Sequence, residues 1–298
     1  MDKLLYLPRP KKASHKGQNG VVLIIGGSKT YHGAPVLAAR AAVRFCDLVY
    51  FASTKENNAL VRKMKFATAN VICVPKNKFN FALSHATCVL VGNGMDVNAS
   101  TRRMVARVLK SGKRCVVDAA ALRVLPVELL HRDVILTPHT REFEAAFGVK
   151  ATEENAGKMA EKYGCTILLK GAHDVVASGR KLVNDCGLKP AASHDSVLQT
   201  RSCWVRSSAG SSQQLPRTHS HSVRVKGGNA GMTKGGTGDV LAGLCAALFS
   251  HGGEPLRVAY TSSRLNKRAG ELLYKHYHFN FSSEDLADEL AYAAVHMP

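Results

Sequence analysis

Short apolar runs alternate with amphipathic stretches from Val21 to about Lys181. The runs Val21–Ile25, Leu48–Ser53, Val71–Val74, Thr87–Val91, Arg114–Val117, Val134–Thr137 and Thr166–Leu169 predict strands. Several are unbroken and rich in Val and Ile, as expected for strands covered on both faces. The helical pattern falls between them, over Pro35–Phe45, Ala99–Lys110, Arg141–Phe147 and Glu153–Tyr163. This alternation predicts an α/β fold with a mostly parallel central sheet flanked by helices. A hairpin of Asp174–Ala177 with Lys181–Val183 is expected to follow. The last third reads differently: a wholly apolar helix over Thr237–Ser250, a long amphipathic helix over Pro255–Tyr277, and a last helix opened by Ser282 with Asp285 three residues on, a capping pattern.

The periodicity fails between Asp185 and about Lys226, where Ser, Arg, His and Gln dominate around the lone Trp204. Such a stretch cannot bury enough apolar surface to offset its ordering entropy. It is expected to be a disordered insertion at 185–226 within a single domain spanning 1–298. The composition is globular, with 45% hydrophobic and 21% charged residues, and no run approaches the ~20 apolar residues of a membrane helix. The eight cysteines show no C-x-x-C or zinc-finger spacing and read as small hydrophobes in a reducing, cytoplasmic setting. The net charge of +19 suits an anionic small substrate or plain solubility. Without a basic helical stripe or Arg–aromatic interleaving, specific nucleic-acid binding is not expected.

Candidate chemistry gathers at strand ends. Gly227 to Gly238 holds six glycines in twelve residues, immediately before the apolar helix. Glycine lets backbone N–H groups approach a phosphate, and a helix N-terminus adds unpaired donors and partial positive charge. Asp239 sits at that positive end, either as a stabilising acid or as a proton acceptor in phosphoryl transfer. The loop is not a P-loop, because Lys234 precedes its last glycines. Four more blocks follow predicted strands: Gly26-Gly27-Ser28 running on to Ala34-Pro35, Gly92-Asn93-Gly94, Thr137-Pro138-His139-Thr140-Arg141-Glu142, and Lys170-Gly171-Ala172-His173-Asp174. Asp118 closes a further strand. Each alone could be an ordinary turn, strand end or loop residue. Together they mark one edge of an open sheet, the edge where ligands bind.

Taken in order, these blocks resemble the nucleotide-dependent NAD(P)H-hydrate dehydratases, which have a three-layer ribokinase-like fold. The resemblance covers about residues 14–295, leaving out 185–226. It implies an enzyme that uses ADP or ATP, with Mg²⁺, to return the S epimer of hydrated NADH or NADPH (NADHX, NADPHX) to the dinucleotide. Asp239 would then be catalytic, and the amides of Gly235, Gly236, Thr237 and Gly238 would hold the transferring phosphoryl group. Ala34, Gly94, His139, Thr140, Arg141 and Glu142 would touch the hydrate. Lys170, Gly171, Ala172, His173, Asp174 and Gly238 would touch the nucleotide. No metal ligands are assigned, and a homo-oligomer is expected. One departure stands out: Asn93 occupies the centre of a block that in the family usually reads Gly-Pro-Gly, so this loop is expected to be less rigid. The runner-up is a ribokinase-like kinase for a vitamin-precursor alcohol.

Overall fold

A computed structural model describes residues 4–63, 69–179 and 221–297. Its sheet has nine strands: β1 (Val21–Ile25), β2 (Leu48–Ala52), β3 (Val71–Cys73), β4 (Cys88–Val91), β5 (Arg114–Val117), β6 (Val134–Leu136), β7 (Thr166–Leu169), β8 (Asp174–Ser178) and β9 (His221–Val225). They lie in the order β3-β2-β1-β4-β5-β6-β7-β8-β9. The first seven are parallel, and β8 runs antiparallel to both β7 and β9. The expected α/β sheet is therefore present.

The unbroken apolar runs are explained by the two cores. Val22 and Ile24 of β1 face one side, with Val49, Phe51, Leu90 and Val116 of neighbouring strands. Leu23 and Ile25 face the other, with Val89, Val91, Val117 and Leu136. The first core is covered by α1 (Gly33–Ala42), α8 (Thr237–Ser250), α9 (Pro255–Tyr277) and α10 (Ser283–Val295). Over the second lie α3 (Phe79–His85), α4 (Ala99–Lys110), α5 (Ala120–Arg123), α6 (Thr140–Phe147) and α7 (Glu153–Tyr163). The remaining helix, α2 (Lys55–Lys63), connects β2 to β3. Periodicity misses α2, α3 and α5. The first is largely polar and buries only Asn57, Asn58 and Val61, while the others have seven and four residues, too short to show a repeat.

Two expectations need correction. The partner of β8 is β9, paired from Asp174↔Val225 to Ser178↔His221. The strand expected at Lys181–Val183 lies outside the described residues, as does most of the segment expected to be disordered. The end of that segment is regular strand: polar Ser222 and Arg224 alternate with Val223 and Val225, and Val225 reaches the core. Two inward valines on an outer strand are too weak a signal to read from the sequence.

The order of the strands positions the site. From β1 the chain turns one way to β2, and from β4 the other way to β5, so β1 and β4 flank a topological switch point. The loops after these strands are forced together there, and Gly27 N–H donates to Asn93 O at 2.8 Å. On the far side, α8 is buried from Val240 through Ser250. It crosses α1 so closely that a Cβ on Gly243 would stand 2.1 Å from Ala38 O. Gly243→Ala should therefore destabilise the protein by about 1–3 kcal/mol as α1 is pushed aside. Gly33→Ala, with open space around the added methyl, should not. Urea unfolding of the two variants against the wild type checks this.

Candidate active site

Four strand ends and one helix start supply the site. Asp118 follows β5, Thr137 follows β6, Lys170 follows β7, Asn93 follows β4, and Asp239 lies in the first turn of α8. Gly92 lets the β4 and β5 ends close. At φ +126° it packs so tightly that a Cβ would stand 1.9 Å from Asp118 O, a place only glycine can occupy. Beyond it, Asn93 is fully buried. Its Nδ2 donates to Asp118 Oδ2 at 2.9 Å and to Asp239 Oδ1 at 2.7 Å. Only this orientation of the amide avoids setting its oxygen against two carboxylates. Asp118 Oδ1 also accepts from Thr137 Oγ1 and from Lys170 Nζ, both at 2.8 Å.

Glu142 joins from the start of α6. His139 and Glu142 form a capping box there: His139 Nδ1 accepts from the N–H groups of Arg141 and Glu142, and Glu142 Oε2 accepts from His139 N–H at 2.9 Å. With Nδ1 an acceptor, the neutral ring carries its proton on Nε2, which lies 3.4 Å from Glu142 Oε1. Glu142 also stands 3.9 Å from Lys170 Nζ.

One ammonium thus sits among three carboxyl groups, and burial together with these charges sets their protonation. Burial pushes Asp239 up to about 6, reinforced by the charge of Asp118 and opposed by the Asn93 hydrogen bond and by Lys170. Burial likewise raises Glu142, with Lys170 opposing. For Lys170, burial disfavours the charged form, but Asp118 and Glu142 outweigh it and hold the ammonium above the ordinary lysine range.

The Gly-rich loop is drawn over this cluster. Gly236 (φ +94°) caps α8 without a side-chain acceptor. A Cβ on Gly238 would lie 3.4 Å from Lys170 Nζ, so the uncapped helix start and the ammonium face the same point. An anion bound there meets backbone donors, the helix dipole and a cation together. Thr237 serves the loop itself, its hydroxyl donating to Met232 O at 2.7 Å and Lys234 O at 2.9 Å.

The chain matches the profile of the NAD(P)H-hydrate dehydratase family over residues 22–193 and 209–291. It is 30% identical to an ADP-dependent (S)-NAD(P)H-hydrate dehydratase of Nitrosopumilus maritimus, over 96% of this chain and 92% of that one. The chain belongs to the NAD(P)H-hydrate dehydratase family. A bifunctional NAD(P)H-hydrate repair enzyme of Methanocaldococcus jannaschii is 32% identical over 93% of this chain and 48% of its own length. The fold is ribokinase-like: an Enterococcus faecalis ribokinase-like protein superposes with a TM-score of 0.74 at 19% identity, covering 98% of this chain and 92% of that one. A Bacillus subtilis ADP/ATP-dependent NAD(P)H-hydrate dehydratase, co-crystallised with ATP/Mg²⁺, does so with 0.73 at 21% identity, covering 98% and 94%. Between its two matched blocks the family match skips residues 194–208, so the interruption within this dehydratase-family chain is narrower than 185–226.

Within this family member, the residues expected at the site fall into several groups. Asp239, Gly238, Lys170, Glu142 and His139 converge. Ala34 and Gly94 adjoin one another beside the switch point, since a Cβ on Gly94 would stand 3.2 Å from Ala34 Cβ. A cavity of about 560 Å³ opens next to them, lined by Tyr31, Met95, Ala119, His139, Arg141 and Glu142 among others. Gly171, Ala172 and His173 are exposed on the β7–β8 loop, as are Thr140 at the start of α6 and Gly235 in the Gly-rich loop. Asp174 is set apart: buried, it accepts from Gly171 N–H at 3.0 Å and Ser263 Oγ at 2.6 Å, and lies 3.6 Å from Lys267 Nζ. It shapes the loop and ties it to α9. Two residues missing from the expected set are central, Asn93 and Asp118. Their position after parallel strands was visible in the sequence, but their link to Asp239 was not. Both bonds of the Asn93 side chain leave from Nδ2, and its Oδ1 is buried without a partner.

Removing the ammonium should expose the cost of the acidic cluster. Lys170→Met should lower stability by about 3–5 kcal/mol at pH 8, the range for a broken buried pair. The deficit should shrink towards pH 5, as Glu142 and Asp239, raised already, take up protons. Denaturant unfolding at both pH values measures it, and a pH-independent deficit would assign Lys170 to packing alone.

Proposed function

We propose that this chain dehydrates the S epimer of hydrated NADH or NADPH at the expense of ADP or ATP. The observation that supports this most directly is Asp239, desolvated and bonded to Asn93 through Oδ1, beside an uncapped helix start that faces Lys170. Water leaves a hydrated dihydropyridine poorly, and phosphate leaves well. Oδ2 of Asp239 takes the proton of the ring hydroxyl as that oxygen attacks the terminal phosphorus of the nucleotide. The new oxygen–phosphorus bond forms as the bond to the nucleotide's bridging oxygen breaks. The amides at the start of α8 and the Lys170 ammonium receive the negative charge of the transferring group. The ring nitrogen then pushes out phosphate, and loss of a ring proton restores the dihydropyridine. Asn93 holds Asp239 in line while keeping it apart from Asp118.

The hydrate enters through the cavity lined by Tyr31, His139 and Glu142, with Ala34 and Gly94 at its edge. The nucleotide lies against Lys170 to His173 and Gly238. Among the described residues no group of three or more His, Cys, Asp or Glu could hold a metal ion. Mg²⁺ brought in with the nucleotide would neutralise phosphate charge during the transfer. No described helix is long and apolar enough to cross a membrane.

The direct test is the return of NADH absorbance from hydrated NADH, with ADP and ATP in parallel and inorganic phosphate measured alongside. A stable phosphorylated product with no recovered absorbance would instead mark a small-molecule kinase.

Asp239→Asn should bind nucleotide but lose about 10²–10⁴-fold in kcat. In the wild type, kcat should rise through pH about 6 as Asp239 ionises, then level off. The stability effect has the opposite sense. A carboxyl raised by folding favours the folded state while protonated, and that contribution is lost as the pH climbs from about 4 through about 6. Asp239→Asn should thus be more stable than the wild type at pH 8, by on the order of 1–3 kcal/mol, and no more stable at pH 4. Thermal unfolding at the two pH values checks the sign.

A further inference from the structure

A second, larger cleft opens at the same edge of the sheet. It has a volume of about 860 Å³ and lies over the ends of β1, β2 and β3, between α2, α3 and α4. Four cations line it, Lys55, Arg62, Lys76 and Arg107, and no carboxylate does. Among the described residues none of the four is in an ion pair, although the protein forms such pairs elsewhere. The floor is apolar, with Val74, Phe79, Met95 and Met104. The Arg107 guanidinium already lies 4.7 Å from the centre of the Phe79 ring and donates to Asn80 Oδ1. A planar cation over a ring in this way can offer its other face to a heteroaromatic base. Asn58, 7% exposed, lines the cleft and donates through Nδ2 to Val74 O at 3.2 Å, while its Oδ1 is buried with no partner. A ligand hydroxyl or amino group would satisfy that oxygen.

The cleft continues from the active site. Met95 lines both this cleft and the His139–Glu142 cavity. Gly26 and Gly27 form its wall, and Gly27 is hydrogen-bonded to Asn93, the residue that holds Asp239. A molecule with its reacting ring beside Asp239 and a long anionic extension would pass Met95 into this space.

We propose that the cleft binds the phosphorylated adenosine half of the hydrated dinucleotide, with Arg62, Lys76 and Arg107 on its phosphates and the base against Arg107 and the apolar floor. This rests on the proposed dehydratase activity. It adds a binding site for the distal half of that substrate, separate from the nucleotide site at Lys170 and Gly238.

Adenosine 2′,5′-bisphosphate serves as the probe, titrated calorimetrically into protein saturated with a non-hydrolysable ATP analogue, so that the nucleotide site is filled. The wild type should bind it. The doubly substituted Arg62→Ala/Arg107→Ala protein should bind about 10-fold more weakly, a loss of about 1.4 kcal/mol, with its melting temperature retained because both side chains are exposed. In turnover, the same variant should raise KM for the hydrate about 10-fold and leave KM for the nucleotide unchanged. A rise confined to NADPH hydrate places the 2′-phosphate on these cations, and an equal rise for NADH hydrate places the pyrophosphate there. Failure of the nucleotide-saturated wild type to bind the probe would overturn the proposal, as would equal affinity in the variant. If the probe binds and the variant loses it, yet no hydrate is turned over, the dehydratase reading falls while the cleft stands as an adenosine phosphate site.

Discussion

The Lys170 ammonium, placed among Asp118, Glu142 and Asp239, is the interaction on which the site is built. Three carboxyl groups from β5, α6 and α8 would repel one another if brought together alone. Lys170 makes their convergence tolerable by a 2.8 Å bond to Asp118 and a 3.9 Å approach to Glu142. It does not neutralise all three. Burial, with the charge of Asp118 adding to it, makes Asp239 and Glu142 hold their protons more tightly than exposed acids do. A carboxyl poised near 6 can accept a proton at neutral pH without being so weak a base that transfer is unfavourable. The charge balance of the cluster is therefore part of its chemistry.

The core and the site are coupled through α8. This helix is apolar on nearly all sides and is buried between α1, α9, α10 and the sheet. Such a helix cannot be displaced without opening the core, which makes its first turn a rigid seat. Asp239 and the uncapped amides occupy that turn. The burial that fixes their positions also desolvates Asp239. The loop leading into the helix is pinned by side chains: Thr237 bonds back to Met232 and Lys234, and Lys234 Nζ donates to Phe281 O at 2.7 Å.

Asn93 shows what a family pattern leaves unseen without coordinates. In a Gly-x-Gly turn, replacing a proline by asparagine suggests a looser backbone. The Asn93 amide nitrogen also spans two carboxylates, with bonds that a proline could not make. Asp174 is the opposite case. It lies in the right loop for a nucleotide ligand, yet its oxygens are taken by Gly171 and Ser263 and it faces Lys267. Sequence distance to a motif does not reveal whether a polar side chain points at a ligand or braces the loop that does.

The sequence by itself determined the layered α/β plan with a mostly parallel sheet, the apolar helix and the acid at its start. Each is a local property: a two-sided apolar run, a 3.6-residue period, or a glycine cluster before a helix. The family was also legible, because its blocks occur in order along the chain. Only the tertiary structure decided which strand ends meet. The reversal between β1 and β4 brings residues 27 and 93 into contact, and the buried amide of Asn93 then reaches Asp118 and Asp239. It also paired β8 with a strand whose pattern was too short to see. Pairing of this kind depends on crossover direction and loop closure, which couple residues far apart in the chain and leave no periodic trace in it.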